Sequence, residues 1–168
     1  MKPIVFIILT LLLPHMASAF CFEEAGIEYG ISPLLLRSIA LHESGMNPVA
    51  ICRNANGTYD YGLMQINSNW AKVLGTEHWT RLGDPCTNVR TGAWILAKCM
   101  RRHGYTWKAV GCYHSNTPGR SVRYAGRIAA LMARQAGSTE SLIRKQTVLT
   151  QPPDPFSTTW NDESGKPL

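Results

Sequence analysis

Glu43 constrains the reading of this chain more than any other residue, because it is a carboxylate where a core side chain is expected. Ser32 followed by Pro33 is a helix start, since the hydroxyl can cap a free amide and proline fits the first turn without losing a needed N–H. Leu36, Ile39 and Ala40 lie seven, four and three residues before Glu43, so the acid shares the apolar face of that helix and points inward. Gly45 and then Asn47-Pro48 stop the helix just beyond it. Glu43 therefore stands in the last turn, where the negative end of the helix dipole and low-dielectric surroundings both disfavour ionisation. The expected result is a raised pKa. A carboxylic acid kept protonated near neutral pH is what a general acid needs in order to protonate a glycosidic oxygen.

Asp60 is the natural second carboxylate. It follows Asn54-Ala55-Asn56-Gly57-Thr58-Tyr59, a polar, turn-rich stretch expected to leave it solvated and ionised, so that the two carboxyl groups have contrasting environments. On spacing and burial alone a structural account stays open, in which Glu43 is a helix-end residue paired with a neighbouring Arg and Asp60 supports a turn.

The remaining elements follow from pattern and punctuation. Residues 22–30 read as a short helix ended by Gly30, with Phe22, Ala25, Ile27 and Tyr29 available for packing. Residues 54–57 form a small hairpin or an irregular loop, and little strand is expected. A short helix runs from Ser68 to Leu74, and residues 77–82 read as a loop or a single turn. Asp84-Pro85 opens the longest helix, through Val89, Ala93, Leu96, Ala97 and Met100 to Gly104. Its Gly92-Ala93-Trp94 patch is small enough for another helix to approach, and Trp94 reads as core. Thr106 caps a helix from Trp107 to about Tyr113. Val122, Ala125, Ile128, Ala129 and Met132 then mark a final amphipathic helix ending near Ala136-Gly137.

Both ends differ in composition from this middle. Met1-Lys2, an apolar run from Ile4 to Leu13 and the small residues Ala17-Ser18-Ala19 read as a signal peptide over residues 1–19, cleaved after Ala19. Ten apolar residues are too few to span a bilayer, which takes about 20, so no stable membrane span is expected. From Ser138 to Leu168 the chain turns to Ser, Thr, Pro and mixed charge, and reads as a disordered tail. The domain is thus expected over residues 20–137.

The formal net charge is +6. Nucleic acid would attract it, but Lys and Arg are spread over the chain, no basic run exceeds Arg101-Arg102-His103, and export argues against that partner. Export also makes disulfides the default for Cys21, Cys52, Cys86, Cys99 and Cys112, at most two with one thiol left over. We favour Cys99 with Cys112 and Cys21 with Cys86, leaving Cys52 free, although spacing alone leaves other pairings open. A metal site from Cys99, His103, Cys112 and His114 is the alternative, opposed by the oxidising compartment and the lack of a compact C-x-x-C pair.

His42-Glu43-Ser44, then Gly62-Leu63-Met64-Gln65-Ile66-Asn67, and later Ala109-Val110-Gly111-Cys112-Tyr113 together resemble the signature of the soluble-type lytic transglycosylases. These are lysozyme-like enzymes that cut peptidoglycan. The small single-domain branch found with conjugation, pilus and type III secretion machines is the most similar. The resemblance runs from about Cys21 to Ala133. Asn56-Gly57-Thr58-Tyr59-Asp60-Tyr61-Gly62 also resembles the animal-lysozyme segment that carries a second carboxylate.

The resemblance implies a mainly α, lysozyme-like fold, α+β with very little strand, in one monomeric domain, and no metal or organic cofactor. Its substrate would be peptidoglycan glycan strands in the periplasm, with components of an envelope-spanning secretion or pilus machine as partners. By motif, Glu43 is the acid and base, Ser44 and Gly62 approach the substrate, and Met64 lines the sugar site. Gln65 hydrogen-bonds near the catalytic carboxyl, Asn67 fixes the turn and Tyr113 contacts Glu43. The commoner Tyr-Asn pattern is broken here, since His114 follows Tyr113 and Asn116 comes later, so His114 and Asn116 compete for the sugar contact. For Leu63 and Ile66 the core is the preferred reading. A hydrolytic muramidase using Glu43 and Asp60 is the near rival. An inactive wall-binding assembly factor is the rival of another class, and it has no evident use for an inward-facing acid.

Overall fold

The computed structural model describes residues 20–150, with side chains through residue 143. The expected signal peptide and the Pro-rich end of the tail lie outside the described residues. Helix α1, Phe22–Tyr29, is closed by Gly30 in the left-handed conformation. It buries Phe22, Ala25 and Gly26, whereas Ile27 is 83% exposed and does not join the packing expected of it. Residues 22, 25, 26 and 29 recur at helical spacing, and position 27 falls off that stripe. Helix α2, Pro33–Ser44, starts on Pro33 without a side-chain cap, so the Ser32 hydroxyl does not play the capping part.

The small sheet comes next. Strands β1 (Ile51–Arg53), β2 (Tyr59–Tyr61) and β3 (Ile66–Asn67) pair antiparallel in the order β1-β2-β3. The β1–β2 hairpin closes through the Asn54 N–H donating to the Thr58 carbonyl at 2.8 Å. Cys52 and Asn67 flank Asp60 in register. A 3-10 turn at Ser68–Trp70 leads into α3, Ala71–Leu74, and the expected single turn is α4, Thr76–Thr80, a five-residue helix followed by a 3-10 turn at Arg81–Gly83.

Helix α5, Pro85–His103, is the spine. Asp84 caps it by accepting from the Thr87 N–H at 2.8 Å, and Val89, Ala93, Leu96, Ala97 and Met100 are buried along it. A fully buried Leu or Val contributes about 1.5–3 kcal/mol through removal from water. Helices α1 and α6 (Trp107–His114) both pack on this spine, and Thr106 caps α6 by accepting from the Ala109 N–H. At Gly92 the close approach is made by the Met64 side chain and not by another helix, since a Cβ there would lie 2.7 Å from it. Trp94 is half-buried, edge-on to Trp70 with Lys98 over its ring.

Helix α7, Pro118–Thr150, continues past the end expected near Gly137, so residues 138–150 are helical and not a disordered tail. Gly137 costs the helix only about 1 kcal/mol, and no proline occurs between Pro118 and Pro152. Ser138 and Thr139 satisfy their hydroxyls within the helix on the carbonyls of Arg134 and Gln135. Val122 is 72% exposed, and the buried stripe of the first turns is Tyr124, Ala125 and Ile128. The chain divides into two compact units, the first ending at Ile128 and the second beginning at Ala129. Among the described residues no helix is long and apolar enough to cross a membrane.

Cys21 is bonded to Cys86 and Cys99 to Cys112, which uses both sulfurs of the alternative metal set. The longer bridge spans a sequence separation of 65. By loop entropy such a closure stabilises by roughly 4 kcal/mol. Cys52 is free and exposed on β1. Thiol titration of the denatured, unreduced protein is expected to find one free thiol per chain. Five would overturn both bridges.

Candidate active site

The last turn of α2 carries Glu43 because the helix cannot continue. Gly45 adopts φ 62°, and its N–H returns to the carbonyls of Ala40 and Leu41. Leu36, Ile39 and Ala40 are fully buried, and they draw the same face inward with Glu43 on it. Ser44, expected near the substrate, spends its hydroxyl on the Ala40 carbonyl at 3.2 Å.

Burial pushes the Glu43 carboxyl up to about 7. A hydrogen bond from the Tyr124 hydroxyl to Oε1, at 2.6 Å, works in the opposite direction by favouring the anion, and the charge of Asp60 adds to the rise. The acid is thus balanced near neutrality by two opposed forces.

Asp60 lies in β2, not in an open turn, and is partly buried. Asn54 donates to its Oδ2 at 2.9 Å and Asn67 to its Oδ1 at 2.7 Å. Asn67 also accepts from the Asn69 N–H, so one side chain fixes the turn and holds the carboxylate.

Between Asp60 and Asn67 the backbone folds into a tight turn. Gly62 has φ 78° and Gln65 φ 46°. The Gln65 side-chain amide donates to the carbonyls of Gly62 (2.8 Å) and Ala50 (3.2 Å), so it braces the turn rather than bonding the Glu43 carboxyl. What Gly62 approaches is Asn88, whose Nδ2 would lie 2.2 Å from an added Cβ. Met64 is completely buried against Gly92 and therefore does not present its side chain to a sugar. Leu63 and Ile66 are core residues, as expected.

The Tyr113 hydroxyl donates to the Met64 carbonyl at 2.7 Å, so the tyrosine bonded to Glu43 is Tyr124 instead. The two rings stack at 6.5 Å between centroids, which places Tyr113 close behind the pair. Burial raises the pKa of both tyrosines, and the nearby Glu43 charge reinforces this, so they remain hydroxyl donors. His114 stacks flat on Tyr124 at 4.8 Å and is exposed.

Sequence reasoning missed Tyr124 and Asn88. Each carried a signal: a tyrosine four residues before Ile128 on an apolar face needs a partner for its hydroxyl, and an asparagine beside Val89 in an otherwise buried helix stretch needs several. Asn88 is 1% exposed and accepts from the Met64 N–H while donating toward the carbonyls of Tyr61 and Leu82.

Residues 20–129 match the family model described as Transglycosylase SLT domain. The chain is 43% identical over 129 residues to the invasion protein IagB of Salmonella typhimurium, an alignment covering 73% of this chain and 81% of that one. It is 40% identical over 120 residues to protein IpgF of Shigella flexneri, covering 70% and 78%. Among solved structures, an inactive mutant of the lytic transglycosylase Slt from Pseudomonas aeruginosa superposes with a TM-score of 0.58 at 17% identity. That superposition spans 75% of this chain and 25% of the other, and is a likeness of fold.

Removing the Tyr124 hydroxyl takes away a hydrogen bond that favours the Glu43 anion. Tyr124→Phe is expected to raise the Glu43 titration by roughly one further unit, the equivalent of one net hydrogen bond. Carboxyl-carbon NMR against pH measures it, and an unmoved or lowered midpoint contradicts the balance described here. Because the folded chain holds this proton more tightly than the unfolded one, the stability contribution is full below about 4.5 and is lost as pH rises through about 7.

Proposed function

We infer that this chain, which belongs to the transglycosylase SLT-domain family, is a peptidoglycan lytic transglycosylase in which Glu43 serves as both acid and base. The carrying observation is a buried carboxyl with a pKa of about 7, in contact with a tyrosine hydroxyl. Protonated Glu43 gives its proton to the oxygen between N-acetylmuramic acid and N-acetylglucosamine as the bond from C1 to that oxygen breaks. The resulting carboxylate takes the proton of the muramyl 6-hydroxyl while the 6-oxygen bonds to C1. Glu43 ends as it began, no water is consumed, and the product carries a 1,6-anhydro end.

Asp60 stabilises positive charge at C1 in the transition state. Its two oxygens already accept from Asn54 and Asn67, and this supports a fixed charge over a nucleophile. The chain is exported to the periplasm, where the domain of residues 20–137 opens the wall locally for a secretion, pilus or conjugation apparatus. The Salmonella relative is an invasion protein by name, which supports such a role.

Mass spectrometry of digested sacculi tests the product: anhydro ends are expected, and reducing ends heavier by one water would make the enzyme a muramidase. Glu43→Gln is expected to lower the rate by about two orders of magnitude or more while folding persists. Asp60→Asn is expected to lower it by roughly ten- to a thousandfold, about 1.4 to 4 kcal/mol, with anhydro ends still dominant. Wild-type kcat/KM should fall as pH rises through about 7, since the first step needs protonated Glu43. A rate that instead climbs through that range would remove the acid role.

A further inference from the structure

Beside the Glu43 carboxyl lies a cavity of about 320 Å³, lined by His42, His114, Arg120, Arg123, Tyr124 and Arg127. Arg120, Arg123 and Arg127 recur at helical spacing on the first turns of α7, so they share one face. The ion pairs among the described residues are Arg37 with Glu23 and Arg90 with Glu28, and none involves these three arginines. Both histidines are held below the usual imidazole range, first by burial and then by arginine charge, Arg127 for His42 and Arg120 for His114. The only opposing influence is Asp60, acting on His114. All three arginines are exposed, so solvent screens their mutual repulsion, but they converge on one concave place, and guanidinium groups match a carboxylate through paired N–H donors.

Tyr124 tells which anion. Its ring forms the wall of the cavity, with His114 stacked on it and His42 edge-on at 5.3 Å, while its hydroxyl holds Glu43. An occupant therefore stands one tyrosine side chain from the acid. The N-acetylated sugars of the glycan are uncharged in their rings, and the carboxylates tethered nearest to the cut bond are those of the peptide carried on the muramyl lactyl group. Resting on the transglycosylase reading above, we propose that this cavity binds a carboxylate of the peptide stem on the muramyl residue being cut. The three arginines then determine a preference for strands whose peptide stems carry free carboxylates over strands whose stems are neutral. A cavity of this size accommodates the carboxylate and the few atoms that lead to it.

Two measurements test this on the purified enzyme. The first compares kcat/KM on intact strands with kcat/KM on strands whose stem-peptide carboxyl groups have been converted to neutral amides. Wild type is expected to favour intact strands at least tenfold, a double Arg120→Gln, Arg127→Gln variant to lose most of that ratio, and Arg127→Lys alone to retain part of it. An unchanged ratio in the double variant overturns the proposal. The second titrates N-acetylmuramyl dipeptide while following the His42 and His114 ring signals by NMR. Both are expected to shift, with at least tenfold weaker binding in the double variant. Binding without cleavage of either strand would refute the transglycosylase reading while leaving the carboxylate site standing. Cleavage with no binding-linked shift would refute the site alone. Tighter binding of an oligoglutamate peptide than of the muramyl dipeptide would assign the cavity to an acidic protein partner, and the proposal would fall.

Discussion

The buried amide of Asn88 is the interaction on which the arrangement of the site depends. It reaches from α5 to three separate backbone groups, the Met64 N–H and the carbonyls of Tyr61 and Leu82, and so joins the sheet, the turn after it and the approach to the spine. Left unpaired, each of those buried groups would cost about 1–3 kcal/mol, far more than the net worth of any one bond. Gly62 is glycine because the Asn88 amide occupies the place where a Cβ would stand. With the turn so fixed, Asp60 is presented at one end and the Met64 carbonyl at the other, where Tyr113 fastens α6 to it.

Around that scaffold the two carboxyl groups receive opposite treatment. Glu43 is surrounded by apolar helix face and tyrosine ring and keeps one hydroxyl donor. Asp60 is met by an amide on each oxygen. One carboxyl is thus held by burial with its pKa raised, and the other is held in place by two amide donors.

The helices were legible because their signals are local. Asp84-Pro85, Gly30, Gly45 and Thr106 each mark a boundary by their own chemistry, and the inward direction of Glu43 follows from helical spacing to Leu36, Ile39 and Ala40. Legibility failed where a side chain is claimed by a partner far along the chain. Tyr124 is 81 residues from Glu43, and nothing local reveals that it, and not Tyr113, donates to the acid. Met64 and Gln65 were assigned outward roles by motif, yet the pocket beside Gly92 swallowed one and the bent turn consumed the other. The final helix went further than its apolar pattern, because helix propensity carries a helix where burial does not and no proline interrupts it between Pro118 and Pro152.

The disulfide pattern bears on how this chain reaches its fold. Both bridges end on α5, one at its first turn and one near its last. Four cysteines allow three pairings, and the fifth multiplies the choices. The sulfurs meet correctly only once α5 is formed and laid against α1 and α6. Once formed, the two bridges hold both ends of α5 to that packing, and the exposed thiol of Cys52 on β1 stands outside it.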